Sequence, residues 1–260
     1  INPAEHIGIA DRVGSLEEGK DADIVVICAG VAQKEGETRL DLLKRNAAVF
    51  QSIVDPVTAS GFNGIFLVAT NPVDIMTRIT CDLSGFNPRR VLGTGTTLDT
   101  ARLRYLLGGY LNADPRNVHA YVIGEHGDSE FVPWSQAMLA TKPILSLCGE
   151  TGGRNICREE LDQIAEEVRS AAYRIIEAKN ATYYGIGMAL TRITKAILGD
   201  EHSVLTVSAM LKGEYGQSGV FAGVPCIINK NGIQSVLTLS LTEEELNHLS
   251  SSCATLRASY

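Results

Sequence analysis

Residues 21–30 read "DADIVVICAG": a polar lead, an unbroken apolar run from Ile24 to Ala29, and a glycine. The run is too short for a helix and rich in β-branched residues, so it reads as a strand buried on both faces. Strands of that kind belong to parallel sheets, whose faces are covered by crossover helices. The neighbouring sequence repeats the pattern. A polar stretch "VAQKEGETR" leads into "LDLLKRNAAVFQSIVDPVTASG", with apolar residues at helical spacing. "GIFLVAT" (64–70) is a second buried strand, "NPVDIMTRITCDLSG" a helix, "RRVLGTG" (89–95) a third short strand and "LDTARLRYLLGGYL" another helix. Alternation of this sort predicts an α/β fold.

The second half changes character. "NVHAYVIGEHGDS" reads as a strand. "REELDQIAEEVRSAAYRIIEAK" (158–179) places Leu161, Ile164, Val168 and Ile175 on one face of a helix. "YYGIGMALTRITKAIL" is a more apolar helix. "SVLTVSAML" and "GVPCIINKNGIQSVLTLSL" read as antiparallel strands with a hairpin turn at "KNG" (230–232). Thr242 and Glu245 form a capping box for a final helix. Two subdomains follow from this: an open α/β sheet, then a mixed α+β part.

The 260 residues are 45% hydrophobic and 20% charged, with a net charge of −7. An acidic chain argues against nucleic acid and anionic membranes as partners, since both need a basic surface. The sequence holds no apolar run of about 18 residues to span a membrane, and no signal peptide is expected. The six cysteines (Cys28, Cys81, Cys148, Cys157, Cys226, Cys253) show no metal-like spacing. Reduced thiols and a cytoplasmic setting are expected, with Cys28 a small buried hydrophobe in the first strand.

"GEHGDSE" (124–130) sets His126 among three acids. Histidine titrates near neutral pH, but a lone loop histidine is more often a surface residue than a proton donor. The surrounding residues change that balance. In open α/β folds ligands sit at the carboxyl ends of the strands. Gln33 and Arg39 follow the first strand, Asn71 the second, and Asp99, Arg102 and Arg104 the third. Asp99 and Arg102 are three apart and share a helix face. An aspartate beside His126 would fix its tautomer and raise its pKa, and Arg102 offers a fork to a carboxylate. "GTGTTL" (93–98) and "GIGMAL" (185–190) lack a third glycine and read as turn and helix rather than phosphate loops.

Together, "ICAGVAQKEGETRLDLLKRN", "VATNPVDIMT", "GTGTTLDTARLRYLL", "NVHAYVIGEHGDSEFVPWS" and "NATYYGIGMAL" resemble the bacterial L-lactate dehydrogenases of the lactate/malate dehydrogenase family, over nearly the whole chain. The resemblance implies a truncated Rossmann-type parallel sheet followed by a mixed α+β substrate domain, divided at residues 1–93 and 94–260. It implies NAD as cofactor and reversible hydride transfer between NADH and pyruvate. His126 is then the acid/base, Asp99 its orienting partner and Arg39 the lid arginine that polarises the carbonyl. Gln33, Arg39, Asn71, Arg102 and Thr182 bind substrate. Gly30, Val31, Ser52, Ala69, Thr70, Asn71 and Thr94 line the cofactor, and no metal is implied. Arg104 and His119 match an allosteric fructose 1,6-bisphosphate site at a subunit interface of a homotetramer.

Gln33 separates two activities. Malate dehydrogenases carry an arginine there for the second carboxylate of oxaloacetate, and a glutamine leaves that charge unpaired. The family begins with a strand, a GxGxxG turn and a second strand ending in a ribose-binding acid. The sequence starts at Ile1, after those elements. From this we expect an exposed apolar edge on the "DIVVICA" strand, an unpartnered "HIGIA" and weak cofactor binding by the 260-residue polypeptide. A non-catalytic chain that only associates with full-length subunits is the reading from another class.

Overall fold

The computed structural model describes residues 22–31, 39–147, 157–179 and 182–259. "HIGIA", Gln33 and the stretch around it lie outside the described residues, as does the Arg39 side chain.

Strands β1 (Ile24–Ile27), β2 (Ile65–Val68) and β3 (Val91–Gly93) pair in parallel, with Val25 opposite Phe66 and Leu67 opposite Leu92. Every residue of β2 and β3 is buried, as continuous apolar strands require when both faces are covered. Helices α1 (Arg39–Ala59) and α2 (Val73–Ser84) cover one face, burying Phe50, Val54 and Met76 against Phe66, Val68 and Val91. Helix α2 ends at Gly85 in the left-handed conformation, whose N–H caps the Cys81 carbonyl.

After β3 come α3 (Thr97–Leu111) and the short strands β4 (Val118–His119), β5 (Met138–Leu139) and β6 (Lys142–Pro143), which form a small antiparallel sheet. Helix α4 (Arg158–Lys179) packs Leu161 and Val168 against Leu103 and Leu107 of α3, on the face that the sequence marks as apolar. Helix α5 (Tyr184–Leu198) precedes the long strands β7 (Ser203–Lys212) and β8 (Ser218–Asn229), then β9 (Gly232–Val236). The β8–β9 hairpin turns at Lys230 and Asn231. Helix α6 (Glu243–Ala258) starts at the Thr242/Glu245 capping box.

The two halves share one sheet, ordered β1-β2-β3-β7-β8-β9, joined where Gly93 pairs antiparallel with Ser208. Helices α5 and α6 cover its second face through Ile193, Ile197, Leu249 and Cys253. Among the described residues no helix is long and apolar enough to cross a membrane.

Two expectations are corrected. Cys28 is exposed, because β1 stops at Ile27 and is outermost among the described strands of its sheet, where Val26 is also 41% exposed. The "NVHAYVIGEHGDS" segment is a strand only at Val118–His119, followed by isolated bridges at Ile123 and Gly124. Threonine hydroxyls replace the missing ladder. Thr100 Oγ1 accepts from the Val122 N–H at 3.0 Å, and Thr96 Oγ1 donates to the Val122 carbonyl at 2.6 Å.

Those bonds hold the His126 segment to α3, and they are buried. Thr100→Val keeps the shape but leaves the Val122 N–H without its acceptor. It should destabilise the protein by about 1–3 kcal/mol, read as a lower urea midpoint at unchanged slope.

Candidate active site

His126 sits in a loop closed on itself by reciprocal backbone bonds between Ile123 and Phe131. Gly124 exchanges two backbone bonds with Gly223 of β8, at 2.9 and 2.7 Å. The Glu125 N–H donates to Ser252 Oγ of α6 at 2.8 Å, and the His126 N–H donates to Asp74 Oδ2 of α2 at 2.8 Å. The backbone of the histidine is thus fixed from three elements.

Its ring is fixed from a fourth. Asp99, in the first turn of α3, lies 2.7 Å from His126 Nδ1 through Oδ2. Arg102, one turn on, donates to the other oxygen, Oδ1, at 3.2 Å. Asp99 is 3% exposed, His126 23% and Arg102 19%. With Nδ1 engaged by Asp99, Nε2 is left for an incoming group. Burial disfavours the charged imidazole, yet the hydrogen bond and charge of Asp99, helped by Glu130 and Asp74, raise its pKa to about 9. At neutral pH the ring is a proton donor.

Asp74 and Glu130 were not among the residues singled out in the sequence. Burial pushes the Asp74 carboxyl up to about 6, although the Ser208 hydroxyl and the His126 N–H lie beside it. Glu130 Oε2 stands 3.9 Å from His126 Nδ1. The available signals were "NPVD", in which Asp74 opens the helix after Asn71, and the acid that ends "GEHGDSE". Ligand atoms of Asp99, His126 and Glu130 lie within 4.8 Å of one another. A metal there would have to displace the short Asp99 bond to Nδ1, so the cluster reads as a proton site.

Of the residues expected to line a cofactor, Gly30, Val31, Ala69, Thr70, Asn71 and Thr94 lie at the carboxyl ends of β1, β2 and β3, on the edge where open α/β sheets bind ligands. Thr70 Oγ1 donates to the Ala29 carbonyl at 2.7 Å, and the Val31 N–H donates to Asn46 Oδ1 at 2.8 Å. A Cβ at Gly30 would meet the Thr70 methyl at 2.7 Å, so only glycine keeps this turn close to β2. Ala69 and Asn71 flank Thr70, with Asn71 exposed at the β2 end. Thr94 is buried and its N–H donates to the Val68 carbonyl. Ser52, on α1, is exposed and bonds its own helix at Val49, so no described contact joins it to this group. Thr182 is half-buried just ahead of α5. The first turn of that helix approaches Arg102, whose Nη2 lies 3.8 Å from where a Gly185 Cβ would be.

Arg104 Nε donates to the Ala120 carbonyl at 3.0 Å, and its guanidinium lies over the Tyr121 ring at 4.8 Å. His119, next to Ala120, is exposed. Of the "GTGTTL" glycines, Gly93 ends β3 and Gly95 lies in the β3–α3 turn, while those of "GIGMAL" lie inside α5.

Two family models match: the NAD binding domain of lactate/malate dehydrogenase over residues 4–93, and its alpha/beta C-terminal domain over residues 96–260. An L-lactate dehydrogenase of Oceanobacillus iheyensis is 53% identical over 95% of this chain and 77% of that protein. One of Geobacillus stearothermophilus is 54% identical over 94% of this chain and 77% of that protein. Among solved structures, a lactate dehydrogenase from a deep-sea metagenome library superposes with a TM-score of 0.89 at 49% identity, covering 92% of this chain and 76% of that one. The minor L-lactate dehydrogenase of Enterococcus mundtii, in its ligands-bound form, gives 0.88 at 49% identity, with the same coverage.

The raised His126 pKa has a consequence for stability. Protonated His126 stabilises the fold fully below its ordinary pKa of 6.5, and the contribution is lost as pH rises through about 9. Unfolding free energy should therefore fall more steeply from about pH 6 to about pH 10 in the parent chain than in His126→Asn. Parallel curves from denaturant titrations would contradict the assignment.

Proposed function

The chain belongs to the lactate/malate dehydrogenase family, and from that premise we propose that it catalyses the reversible, NAD-dependent interconversion of pyruvate and L-lactate. The observation that carries the proposal is the short Asp99–His126 contact, which holds a protonated ring by its Nδ1 and leaves Nε2 for an incoming group.

The cofactor fits the residues present. Gly30 lets its turn approach Thr70 closely, and Val31, Ala69, Thr70, Asn71 and Thr94 border the same edge. When bound there, NADH supplies the hydride that the carbonyl carbon of pyruvate accepts. His126 gives its proton to the carbonyl oxygen and takes it back in the reverse direction. Asp99 holds the tautomer and steadies the imidazolium. Arg102, anchored by Asp99, keeps donors of its fork for the substrate carboxylate, and this orientation makes the chemistry effectively unimolecular. Arg39 stabilises the charge that builds on the oxygen, Asn71 bonds the substrate, and Thr182 packs against its methyl side. Gln33 selects the monocarboxylate. No metal takes part.

The finer assignments rest on the same resemblance. Arg104 and His119 supply a guanidinium and an imidazole for fructose 1,6-bisphosphate, and that site belongs at a subunit interface of a homotetramer. The reaction is cytoplasmic, in keeping with the free thiols of the described cysteines.

The test is NADH oxidation by the purified chain with pyruvate and with oxaloacetate, with and without fructose 1,6-bisphosphate. Pyruvate should turn over and oxaloacetate should not, and the bisphosphate should raise the rate. His126→Gln should lower kcat by about 10²–10⁴-fold while the fold persists. Gln33→Arg should move preference toward oxaloacetate; a variant with unchanged selectivity would remove Gln33 from the specificity site.

A further inference from the structure

Glu130 is 5% exposed, and its carboxylate lies on the Nδ1 side of the His126 ring, the side that Asp99 already occupies. The backbone sets it there. Its N–H donates to the Gly127 carbonyl at 3.2 Å, and its carbonyl accepts from Arg169 Nη2 of α4 at 3.3 Å. The Arg169 side chain also pairs with Glu166 at 2.5 Å, and its Nε is buried with no hydrogen-bond partner. A buried carboxylate destabilises a fold unless charges or donors meet it, so an apolar residue would be the cheaper occupant of this position.

The charged groups around the pair come from three helices and the loop. Glu130 is faced by Asp99 and Arg102 of α3, by Arg169 of α4 and by His126 itself. His126 is faced by Asp99, by Glu130 and by Asp74 of α2, and Asp74 in turn feels Glu125.

We infer that Glu130 is a second positioning residue for His126, one that works with Asp99 to hold the imidazolium in place and to extend the pH range over which the ring keeps its proton. The inference rests on the reading of His126 as the proton donor. Burial and the Asp99 charge push the Glu130 carboxyl up to about 8, against the pull of His126, Arg169 and Arg102. While protonated, Glu130 sits beside Asp99 without adding a second negative charge. As pH rises it ionises, and the new charge, 3.9 Å from Nδ1, opposes loss of the histidine proton. Arg169 brings α4 into the arrangement by favouring the ionised carboxylate.

The measurement is the NMR titration of the His126 ring in the full chain, from about pH 5 to 11, for the parent and for Glu130→Gln, which keeps size and removes charge. The ring pKa should fall by about one unit, a tenfold loss of imidazolium at a given alkaline pH. The alkaline limb of pyruvate reduction and the rising limb of lactate oxidation should both move to lower pH by the same amount, with the KM for pyruvate unchanged. An unshifted ring overturns the role of Glu130 alone. A shifted ring with unshifted kinetic limbs overturns His126 as the proton donor, and with it any bearing of Glu130 on the reaction. If Glu130→Gln does not fold, Arg169→Gln carries the same test. It should keep Glu130 protonated to higher pH and lower the ring pKa by a smaller step, and an unchanged titration there also overturns the inference.

Discussion

The approach of the β3 end to β7 is the constraint on which the rest of the structure depends. Gly93 pairs with Ser208, and a Cβ on Gly93 would meet Thr77 Oγ1 at 2.3 Å and the Ser208 Cβ at 2.9 Å. Gly95, two residues on, has φ +48°, and a Cβ there would come within 2.4 Å of the Ser208 nitrogen. Side chains at either position would push the antiparallel half away from the parallel half. With glycines, β7 and β8 continue the sheet directly, and α3 starts at once beside them. The polar joint is satisfied by hydroxyls: Thr97 donates to the Thr206 carbonyl, and Thr100 bonds the Thr206 hydroxyl.

The site follows from that joint. Asp99 is carried by α3, whose first turn is pinned to β7. His126 is carried by a loop pinned to β8 through Gly223, to α6 through Ser252 and to α2 through Asp74. Each anchor is a backbone N–H met by a carbonyl, a hydroxyl or a carboxylate in a largely buried setting, where a missing partner is costly. The 2.7 Å contact between the two residues is therefore held by the sheet rather than by local sequence. Charge does the remaining work. Several carboxylates close to one imidazole outweigh the burial that would otherwise discharge it. A cavity of about 610 Å³ lies between α4, α6 and residues 128–135, with Glu130 in its lining.

Hydrophobic period alone predicted most of the elements. The buried strands, the amphipathic α4, the β8–β9 turn and the α6 cap were all legible, because each is set by residues within one element. The segment after β4 was not. Its apolar alternation resembles a strand, but hydroxyls of α3 satisfy its backbone, and such partners lie more than twenty residues away. Cys28 was misread for a related reason. An apolar run shows that a strand is buried somewhere, whereas its place at the margin of the sheet depends on which strands flank it.

For the site, residue types and order pointed to His126, Asp99, Asn71 and Arg102, because proton transfer and carboxylate binding need those groups at strand ends. The sequence by itself determined the α/β class, the family and the set of groups available for chemistry, all of which are properties of local pattern and composition. Tertiary structure alone decided that the two halves share a sheet, that Asp74 and Glu130 close around the histidine, and that the ring stays charged at neutral pH. Those outcomes depend on distance and burial, which are set only when segments far apart in the chain pack against one another.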